Sequence, residues 1–175
     1  MVKVPQFSEQ IAATTASAVH LEMRDWYAVA DEREAFAQWR ADQHARTTEA
    51  ERESRRDWLD LVRTATRRGV AMRRARIVSE PVSDYIRFEW AGTPLNIEAG
   101  EQVRWLPRRQ ASDLCLPGND FWAFDERLVR FHHFSGDGDI VEDEIVTDPA
   151  QVRLCLSAFE SVWQRAIPHA EYLLA

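Results

Sequence analysis

The amino-acid sequence predicts a single α/β domain whose mixed or antiparallel sheet is covered by helices on at least one face. Three observations predict this fold: a helix, a glycine and a strand in succession around Gly69, a hairpin pattern over 121–134, and a long amphipathic helix near the C-terminus. The chain has 175 residues, of which 45% are hydrophobic, and this is enough to build one core. We therefore place the domain over residues 19–175. Residues 1–18 have no clear period and are interpreted as an N-terminal arm with partial disorder.

The first half of the chain predicts two strands separated by helical segments. Apolar and polar residues alternate over 19–27, which indicates a short strand, and the pattern of 31–43 indicates a short helix. The polar stretch 44–54 contains no large apolar residue and is interpreted as a solvated helix or loop. A basic amphipathic helix then ends at Gly69, and a strand over 70–78 follows with arginines on one face.

The second half predicts a helix, a strand, a hairpin and a final helix. Apolar residues at three- and four-residue steps indicate a short helix over 81–92, and the next strand is halted at Pro107. The hairpin pairs strands over 121–124 and 128–134 around a tight turn. The final helix begins at Pro149, directly after a Thr-Asp pair of which either residue can serve as the N-cap.

Charge and composition exclude some classes of function. The net charge of -7 and the pI of about 5.3 argue against a nucleic-acid-binding surface. Since no helix combines basic residues with the setting of a recognition helix, we expect no direct nucleic-acid binding. Arginines concentrate in 55–78 and acids in 137–150, a distribution that suits a homodimer or an oriented partner. The alternative is two solvated faces of an ordinary acidic protein.

The cysteines and the apolar runs predict the compartment. Cys115 and Cys155 lie in apolar runs without metal-ligand spacing, so we expect buried free thiols. No stretch approaches the length of a membrane span. These observations predict a soluble, cytoplasmic protein with no bound metal, no cofactor and no membrane partner.

Two adjacent histidines on the predicted hairpin are the candidates for catalysis. His132 and His133 point to opposite faces of the strand, so they are poorly placed to share a metal. A histidine nucleophile needs an acidic partner and a cation for the oxyanion, and Asp120 or Asp137 with an arginine across the sheet could supply them. Because aromatic-flanked histidines in hairpins are usually structural, a hydrolase is kept as the alternative function.

Arginines near the carboxyl edge of the predicted sheet form a candidate anion pocket. Open α/β sheets bind ligands at that edge. The residues of this predicted pocket are Arg74, Arg76, Arg104, Arg108 and the hydrogen-bonding wall Tyr85. The alternative is an ion-paired face in which neighbouring acids neutralise the arginines, and we favour it because buried arginines are normally paired. The acids in question are Glu80, Asp84, Glu89 and Glu101.

Tryptophans are unusually numerous, with 7 in the chain, and some are candidates for a partner-binding surface. Trp39, Trp58 and Trp90 lie on amphipathic segments whose opposite faces are highly charged. If one of them is exposed, we expect it to anchor an interface.

Several blocks in order carry a resemblance to a known family. They are "RRARIVSEPVSDYIRFE", "VRWLPRR", "LPGNDFWAFDERLVRFHHFSGDGD" and "DPAQVRLCLSAFESVWQRAIPHAEY". Together, from about Val19 to Tyr172, they resemble an uncharacterised actinobacterial domain-of-unknown-function family. That family is usually encoded beside helix-turn-helix regulators, so the resemblance implies a regulatory partnership without established chemistry.

A second resemblance concerns the fold. The hairpin followed by a helix ending in Phe159, Glu160, Trp163 and Ala166 is similar to the C-terminal half of non-catalytic phospholipase D-like domains. Active members of that superfamily carry His-x-Lys followed by Asp. Here the nearest equivalent is His132-His133-Phe134 with Asp137, which lacks the lysine that would hold a phosphate. The resemblance therefore implies a ligand-sensing or dimerisation domain of a transcription regulator.

These observations together predict a non-catalytic protein that binds a partner or senses a small ligand. The expected partner is a helix-turn-helix regulator, with a homodimer and a small anionic ligand as further expectations. The alternative is a phosphodiesterase-like or other hydrolase that uses His132 or His133 and Asp137.

Overall fold

Seven β-strands form one mixed sheet in the computed structural model, which describes residues 6–29, 32–42 and 48–175. The strands are β1 (Ser17–Glu22), β2 (Ala71–Val78), β3 (Gln102–Pro107), β4 (Phe121–Phe124), β5 (Leu128–Phe134), β6 (Ile140–Val146) and β7 (Ile167–Pro168). The α-helices of the described residues are α1 (Phe7–Ala13), α2 (Arg33–Ala41), α3 (Thr48–Ser54), α4 (Arg56–Arg67), α5 (Asp84–Glu98) and α6 (Pro149–Arg165).

The strand order is β6–β5–β4–β1–β2–β3–β7, with β1 at the centre. Strands β1, β2 and β3 are parallel, and helical connections separate them in the chain. Strands β4, β5 and β6 extend the sheet antiparallel on one side, and the short β7 pairs antiparallel on the other. The predicted fold class, a mixed sheet flanked by helices in one α/β domain, is confirmed.

One face of the sheet packs against α6 and forms an apolar core. Fully buried Leu21, Ile77 and Phe121 from the central strands meet Phe159 and Val162 of the helix. Asp148 caps α6 by accepting a hydrogen bond from the N–H of Gln151 at 3.0 Å, and Pro149 occupies the first turn, as the sequence predicts. Burial of this face contributes on the order of 25 cal/mol for each Å² of apolar surface removed from water.

The opposite face is covered by α1, α2, α4 and α5, and its packing is interrupted. One apolar cluster joins Leu59 and Val62 of α4 to Met72 of β2. A second joins Trp39 and Phe88 to further apolar side chains around β3. Between the two clusters, the central strands present charged side chains instead of apolar ones.

The hairpin between β4 and β5 forms where the sequence places it, and its turn is tied to the chain before β1. Asp125 and Glu126 adopt positive φ angles of 48° and 56°. The Asp125 carboxylate accepts hydrogen bonds from the N–H groups of Thr15, Ala16 and Ser17 at 2.9, 2.7 and 3.0 Å. Partial burial opposes ionisation, but these N–H donors lower the pKa of Asp125 to about 2.

The N-terminal segment differs from its prediction as a partly disordered arm. Residues 1–5 lie outside the described part of the chain, but residues 7–13 form α1, which packs on α4. Ile11 is fully buried, and β1 begins at Ser17 as a central strand, two residues before the predicted domain boundary. Short helices of this kind are stabilised by tertiary burial, which a local pattern does not record.

Helix α5 is longer than predicted, because it continues through Gly92 and Pro94 to Glu98. Pro94 leaves one carbonyl of the preceding turn without its helical N–H donor. That carbonyl belongs to Trp90, and Arg55 donates from Nη1 to the neighbouring Gly92 carbonyl at 3.2 Å, which ties this stretch to the start of α4. The turn that ends the helix uses Gly100 at a φ of +104°, where an added Cβ would lie 2.7 Å from Thr66 Oγ1.

One further element was not predicted from the sequence, and one prediction about the cysteines was wrong. The acidic stretch after Gly138 forms the edge strand β6, which pairs with β5. Cys155 is buried, but Cys115 is exposed, because its loop lies outside the core. Among the described residues, no helix is both long enough and apolar enough to cross a membrane.

We expect the Asp125→Asn variant to lose roughly 2 kcal/mol of unfolding free energy near neutral pH, since charge-assisted hydrogen bonds are lost. Asparagine tolerates a positive φ, so the turn itself is not strained by the change. A carboxyl group whose pKa is lowered by folding stabilises the fold at pH values above its ordinary pKa of 3.8. This contribution disappears as the pH falls toward about 2. Urea unfolding curves between about pH 7 and about pH 3 should therefore show a shrinking difference between variant and wild type.

The matched control is Glu126→Gln, in the same turn but exposed. It should change the unfolding free energy by less than about 0.5 kcal/mol at every pH. A difference between Asp125→Asn and wild type that is independent of pH would contradict the assignment.

Candidate binding cavity

A cavity of about 580 Å³ lies between the central strands and the helices that cover them. Its floor is formed by side chains from β1, β2, β4 and β5 that share one face, because His20 is paired with Arg74 on one side and with Trp122 on the other. Six carboxyl groups, three arginines, two histidines and seven aromatic side chains are among the described residues that line it. This volume is typical of small-molecule sites, which range from roughly 300 to 1,000 Å³.

Buried ion pairs centred on Glu22 hold the floor of the cavity. Glu22 Oε1 lies 2.8 Å from Arg74 Nη1, and its Oε2 lies 2.8 Å from Arg76 Nε. Arg74 Nε also contacts Glu101 Oε1 at 2.8 Å, and Arg76 Nη2 contacts Glu89 Oε2 at 2.5 Å. Burial opposes the charge of both arginines, but their carboxylate partners raise the pKa of each above its ordinary value. Each guanidinium is thus neutralised by two carboxylates.

The same network ties two helices to the sheet. Asn96 of α5 donates from Nδ2 to Glu101 Oε2 at 2.5 Å, and Arg55 at the start of α4 donates from Nη2 to Asn96 Oδ1 at 2.6 Å. The chain of contacts therefore runs from α4 through α5 to Arg74 on β2. Arg55, Asn96, Glu101 and Arg74 are therefore held by hydrogen bonds to one another within the protein.

Two neutral histidines face the cavity. His132 Nδ1 lies 2.6 Å from Asp143 Oδ1, and the other carboxylate oxygen is bound by Arg130. Burial lowers the pKa of His132 even though Asp143 acts in the opposite direction. The His20 ring stacks on Trp122 at 4.3 Å and lies 6.0 Å from the His132 ring. Burial first, and then the charge of Arg74, keep the pKa of His20 well below its ordinary value.

Two carboxyl groups on one wall bind tyrosine hydroxyls rather than basic side chains. Tyr85 donates from its hydroxyl to Glu32 Oε2 at 2.8 Å, and Tyr27 donates to Asp120 Oδ2. Burial, followed by the charge of Glu89, raises the pKa of Glu32 to about 7. Burial also raises the pKa of Asp120 to about 6, against the effect of the Tyr27 hydrogen bond. Both groups therefore titrate near neutral pH.

The predicted anion pocket is assembled only in part. Arg74, Arg76 and Tyr85 line the cavity, each in contact with a carboxylate. Arg104 lies on the opposite face, where Nη1 donates to the Trp163 carbonyl at 2.9 Å. Arg108 holds a loop instead, since its Nη2 donates to the Met23 carbonyl at 2.7 Å. The ion-paired interpretation of these arginines describes their contacts better than the open anion pocket.

The acids that pair with the cavity arginines are only partly those predicted from the sequence. Glu89 and Glu101 are partners of the cavity arginines, whereas Glu80 pairs with Arg109 and Asp84 with Arg40. Glu22 and His20 were not predicted as site residues from the sequence, although a signal was present. Both lie on the polar side of the alternating β1 pattern, and a central strand has no solvated side.

The predicted catalytic group is divided between two faces. His133 points away from the cavity, and its Nε2 lies 3.0 Å from Glu144 Oε2. Asp137 is exposed in the turn before β6, and its carbonyl accepts a hydrogen bond from Trp26 Nε1 at 3.3 Å. The carboxylate partner of His132 is Asp143, which the edge strand β6 supplies. A site made of His132, His133 and Asp137 is therefore not formed.

None of the tryptophans singled out from the sequence is an exposed anchor. Trp39 is buried in the apolar cluster beside α5, and Trp58 is half-buried at the cavity wall. Trp90 is half-buried with its ring 5.1 Å from the ring of His169. Trp26 is exposed instead, with 43% of its surface accessible. Amphipathic spacing places a tryptophan on the core side of a helix, and that is why Trp39 is covered.

This chain belongs to the family described as a domain of unknown function (DUF6879), whose model matches residues 5–174. No curated protein matches it. The predicted membership of an uncharacterised domain family is confirmed, while an actinobacterial origin and neighbouring regulator genes stay predictions. Among the described residues, no group of three or more His, Cys, Asp or Glu side chains is placed to hold a metal ion.

Two solved structures are similar in fold. Nuc, a phospholipase D family member from Salmonella typhimurium, is 11% identical over 92% of this chain and 86% of that one, with a TM-score of 0.53. TrmBL2, an archaeal chromatin protein with a novel mode of DNA binding, is 12% identical, with a TM-score of 0.51. The match covers 91% of this chain but 47% of the archaeal protein. At such identities the likeness shows the fold alone, and it supports the predicted phospholipase D-like fold.

Removal of the central carboxylate tests the buried network. The Glu22→Gln variant removes one of the two carboxylate partners of each buried guanidinium group, so we expect a loss of roughly 3 kcal/mol of unfolding free energy as charge-assisted contacts are lost. The control is Glu160→Gln, because Glu160 is a half-exposed partner of Arg73 on the opposite face of the sheet. This variant should lose less than about 1 kcal/mol of unfolding free energy. Chemical unfolding measures both, and equal losses would contradict the central role of Glu22.

Proposed function

We propose that this domain is a non-catalytic sensor that binds a small molecule in the cavity and acts through a helix-turn-helix transcription regulator. The observation that carries the proposal is the cavity itself, about 580 Å³ in volume and built from buried, mutually paired polar groups. Buried ion pairs contribute little net stability, so their presence on the central strands favours a role in recognition. Side chains that are already held by hydrogen bonds to one another lower the entropic cost of binding a ligand.

A surface at the rim of the cavity is the proposed contact for the partner. Trp26, Ile140 and Val141 are large apolar side chains with 43%, 54% and 65% of their surface exposed. The Trp26 ring lies 5.0 Å from the ring of Tyr85, whose hydroxyl binds Glu32 inside the cavity. A ligand that binds Glu32 would therefore change the packing of Tyr85 against Trp26, which is exposed. Such a link between the cavity and the surface is the coupling that a sensor needs.

The identity of the partner rests on the resemblance of the sequence blocks to a family encoded beside helix-turn-helix regulators. A second copy of this chain is the alternative partner for the same rim. The acidic composition, with a net charge of -7, favours a protein partner over direct contact with nucleic acid. In this proposal the regulator contacts DNA and this domain contacts the regulator.

A hydrolase is the second candidate, and the His132–Asp143 pair favours it. An aspartate bound to Nδ1 orients an imidazole and leaves Nε2 as the nitrogen that can accept a proton or attack. The lowered pKa of His132, caused mainly by burial, keeps the ring neutral as a base requires. Against this candidate, the arginines nearest the cavity are each held by two carboxylates and offer little charge to an oxyanion.

The sensor proposal predicts that the tagged protein, isolated from a native lysate, carries one small molecule per chain and a stoichiometric helix-turn-helix protein. The Ala35→Trp variant places an indole at the rim of the cavity and should lose the small molecule. Native mass spectrometry with small molecules retained measures both. Ala37→Trp is the matched control, since Ala37 is exposed on the same helix but does not line the cavity.

The two halves of the proposal can fail separately in that experiment. A wild-type protein without a small molecule, or equal retention by both variants, would overturn the ligand half. A ligand-bound protein that recovers no helix-turn-helix protein would overturn the regulatory half.

Hydrolysis of bis(p-nitrophenyl) phosphate separates the two candidate functions. For a non-catalytic sensor, the wild type and the His132→Ala variant should show the same background rate. A rate that is lost in His132→Ala and kept in His133→Ala would establish the hydrolase, because His133 lies on the opposite face. A far-UV circular dichroism spectrum identical to that of the wild type serves as the check on the folding of His132→Ala.

A further inference from the structure

The charges that line the cavity are unequal. Three arginines are outnumbered by six carboxyl groups among the described lining residues, and Glu101 adds another carboxylate behind Arg74. Arg74 and Arg76 each contact two carboxylates, so neither presents an uncompensated positive charge to the cavity. An anion entering here would also meet Glu22 and Glu89, which lie against the same guanidinium groups. The lining therefore disfavours an anionic ligand.

Three of the lining carboxyl groups form no ion pair with a basic side chain in the part of the chain that the structure describes: Asp57, which is exposed, and Glu32 and Asp120, which are shielded from solvent. Glu32 accepts a hydrogen bond from Tyr85, and Asp120 accepts hydrogen bonds from Tyr27 and the N–H of Met23. Asp120 is 97% removed from solvent, since 3% of its surface is accessible. Buried carboxylates of this kind are normally matched by a cation, and these two lie on the wall of an open volume.

Aromatic rings surround these two carboxyl groups. The rings of Tyr27 and Tyr85 are 6.1 Å apart, and Phe134 lies 5.3 Å from Tyr27. Aromatic faces attract cations, as Arg74 illustrates in the same cavity with its guanidinium 5.7 Å from the Trp122 ring. Carboxylates placed among aromatic rings are the combination that binds an organic ammonium or guanidinium group with an apolar body.

From this arrangement we infer that the ligand of the cavity is a small organic cation, whose charged group binds Glu32 and Asp120 and whose apolar body contacts the surrounding aromatic rings. The inference rests on the proposed function and specifies the class of ligand that the sensor detects. The raised pKa values of Glu32 and Asp120, due mainly to burial, describe the same unmatched negative charge. A bound cation would supply the missing counter-charge and strengthen the wall that supports Trp26.

Three probes that share one indole body and differ in charge test the inference. They are tryptamine, the neutral tryptophol and the anionic indole-3-acetate, titrated into the full chain by isothermal calorimetry at a mildly alkaline pH. We expect tryptamine to bind at one site per chain, roughly tenfold or more tighter than tryptophol, since a charge-assisted contact of about 1.4 kcal/mol corresponds to that factor. Indole-3-acetate should bind more weakly than tryptophol.

Isosteric variants locate the charge. Glu32→Gln keeps an acceptor for the Tyr85 hydroxyl and removes the negative charge. It should therefore lower the affinity for tryptamine about tenfold and leave the affinity for tryptophol unchanged. Glu160→Gln, on the opposite face of the sheet, should change neither affinity.

Each contrary result overturns the inference in a different way. Tightest binding of indole-3-acetate would assign an anion site, and equal binding of all three probes would assign recognition to the indole body alone. Both results would leave the proposed ligand cavity in place. If none of the probes binds, the inference is overturned, while the ligand recovered from the native lysate decides the proposed function independently.

Discussion

The pairing of Glu22 with Arg74 and Arg76 is the constraint on which the rest of this structure depends. A charged side chain on a central strand cannot reach bulk water, so its partners must be brought to it. Glu22 lies between the two arginines, and α5 then supplies Glu89 and the turn after it supplies Glu101. Helix α5 also contributes Asn96, which donates to Glu101, so the helix and the turn after it are tied to the central strands.

The two faces of the sheet thereby take different roles. The face toward α6 is apolar and packs into one continuous core, whose burial stabilises the fold. The other face contains two apolar clusters with a polar cavity between them. The apolar core on the α6 side is therefore separate from the cavity on the other side of the sheet. The phospholipase D-like fold thus serves as a scaffold here, and the chemistry depends on the side chains placed upon it.

Much of the fold was predictable, because its elements carry local signals. The hairpin over 121–134 has alternating residues around a turn, and α6 has a cap, a first-turn proline and an amphipathic face. The end of α5 was predicted wrongly at Gly92, since glycine and proline normally stop a helix, whereas here the residues beyond them pack against α4 and the sheet. The N-terminal helix α1 was missed for a related reason, because its order comes from burial against α4.

The sequence by itself determined which residues share a face of each strand, since side chains alternate strictly along a β-strand. It placed Arg74 and Arg76 together and separated His132 from His133. Only the tertiary structure decided which strands are neighbours and in what register, and register depends on contacts between residues distant in the chain. Arg104 of β3 is the register partner of Ala75 of β2, so it lies on the α6 face. Glu22 of β1 is the register partner of Arg76 of β2, so these two side chains lie on the cavity face. The charge of the cavity was thus decided by long-range pairing.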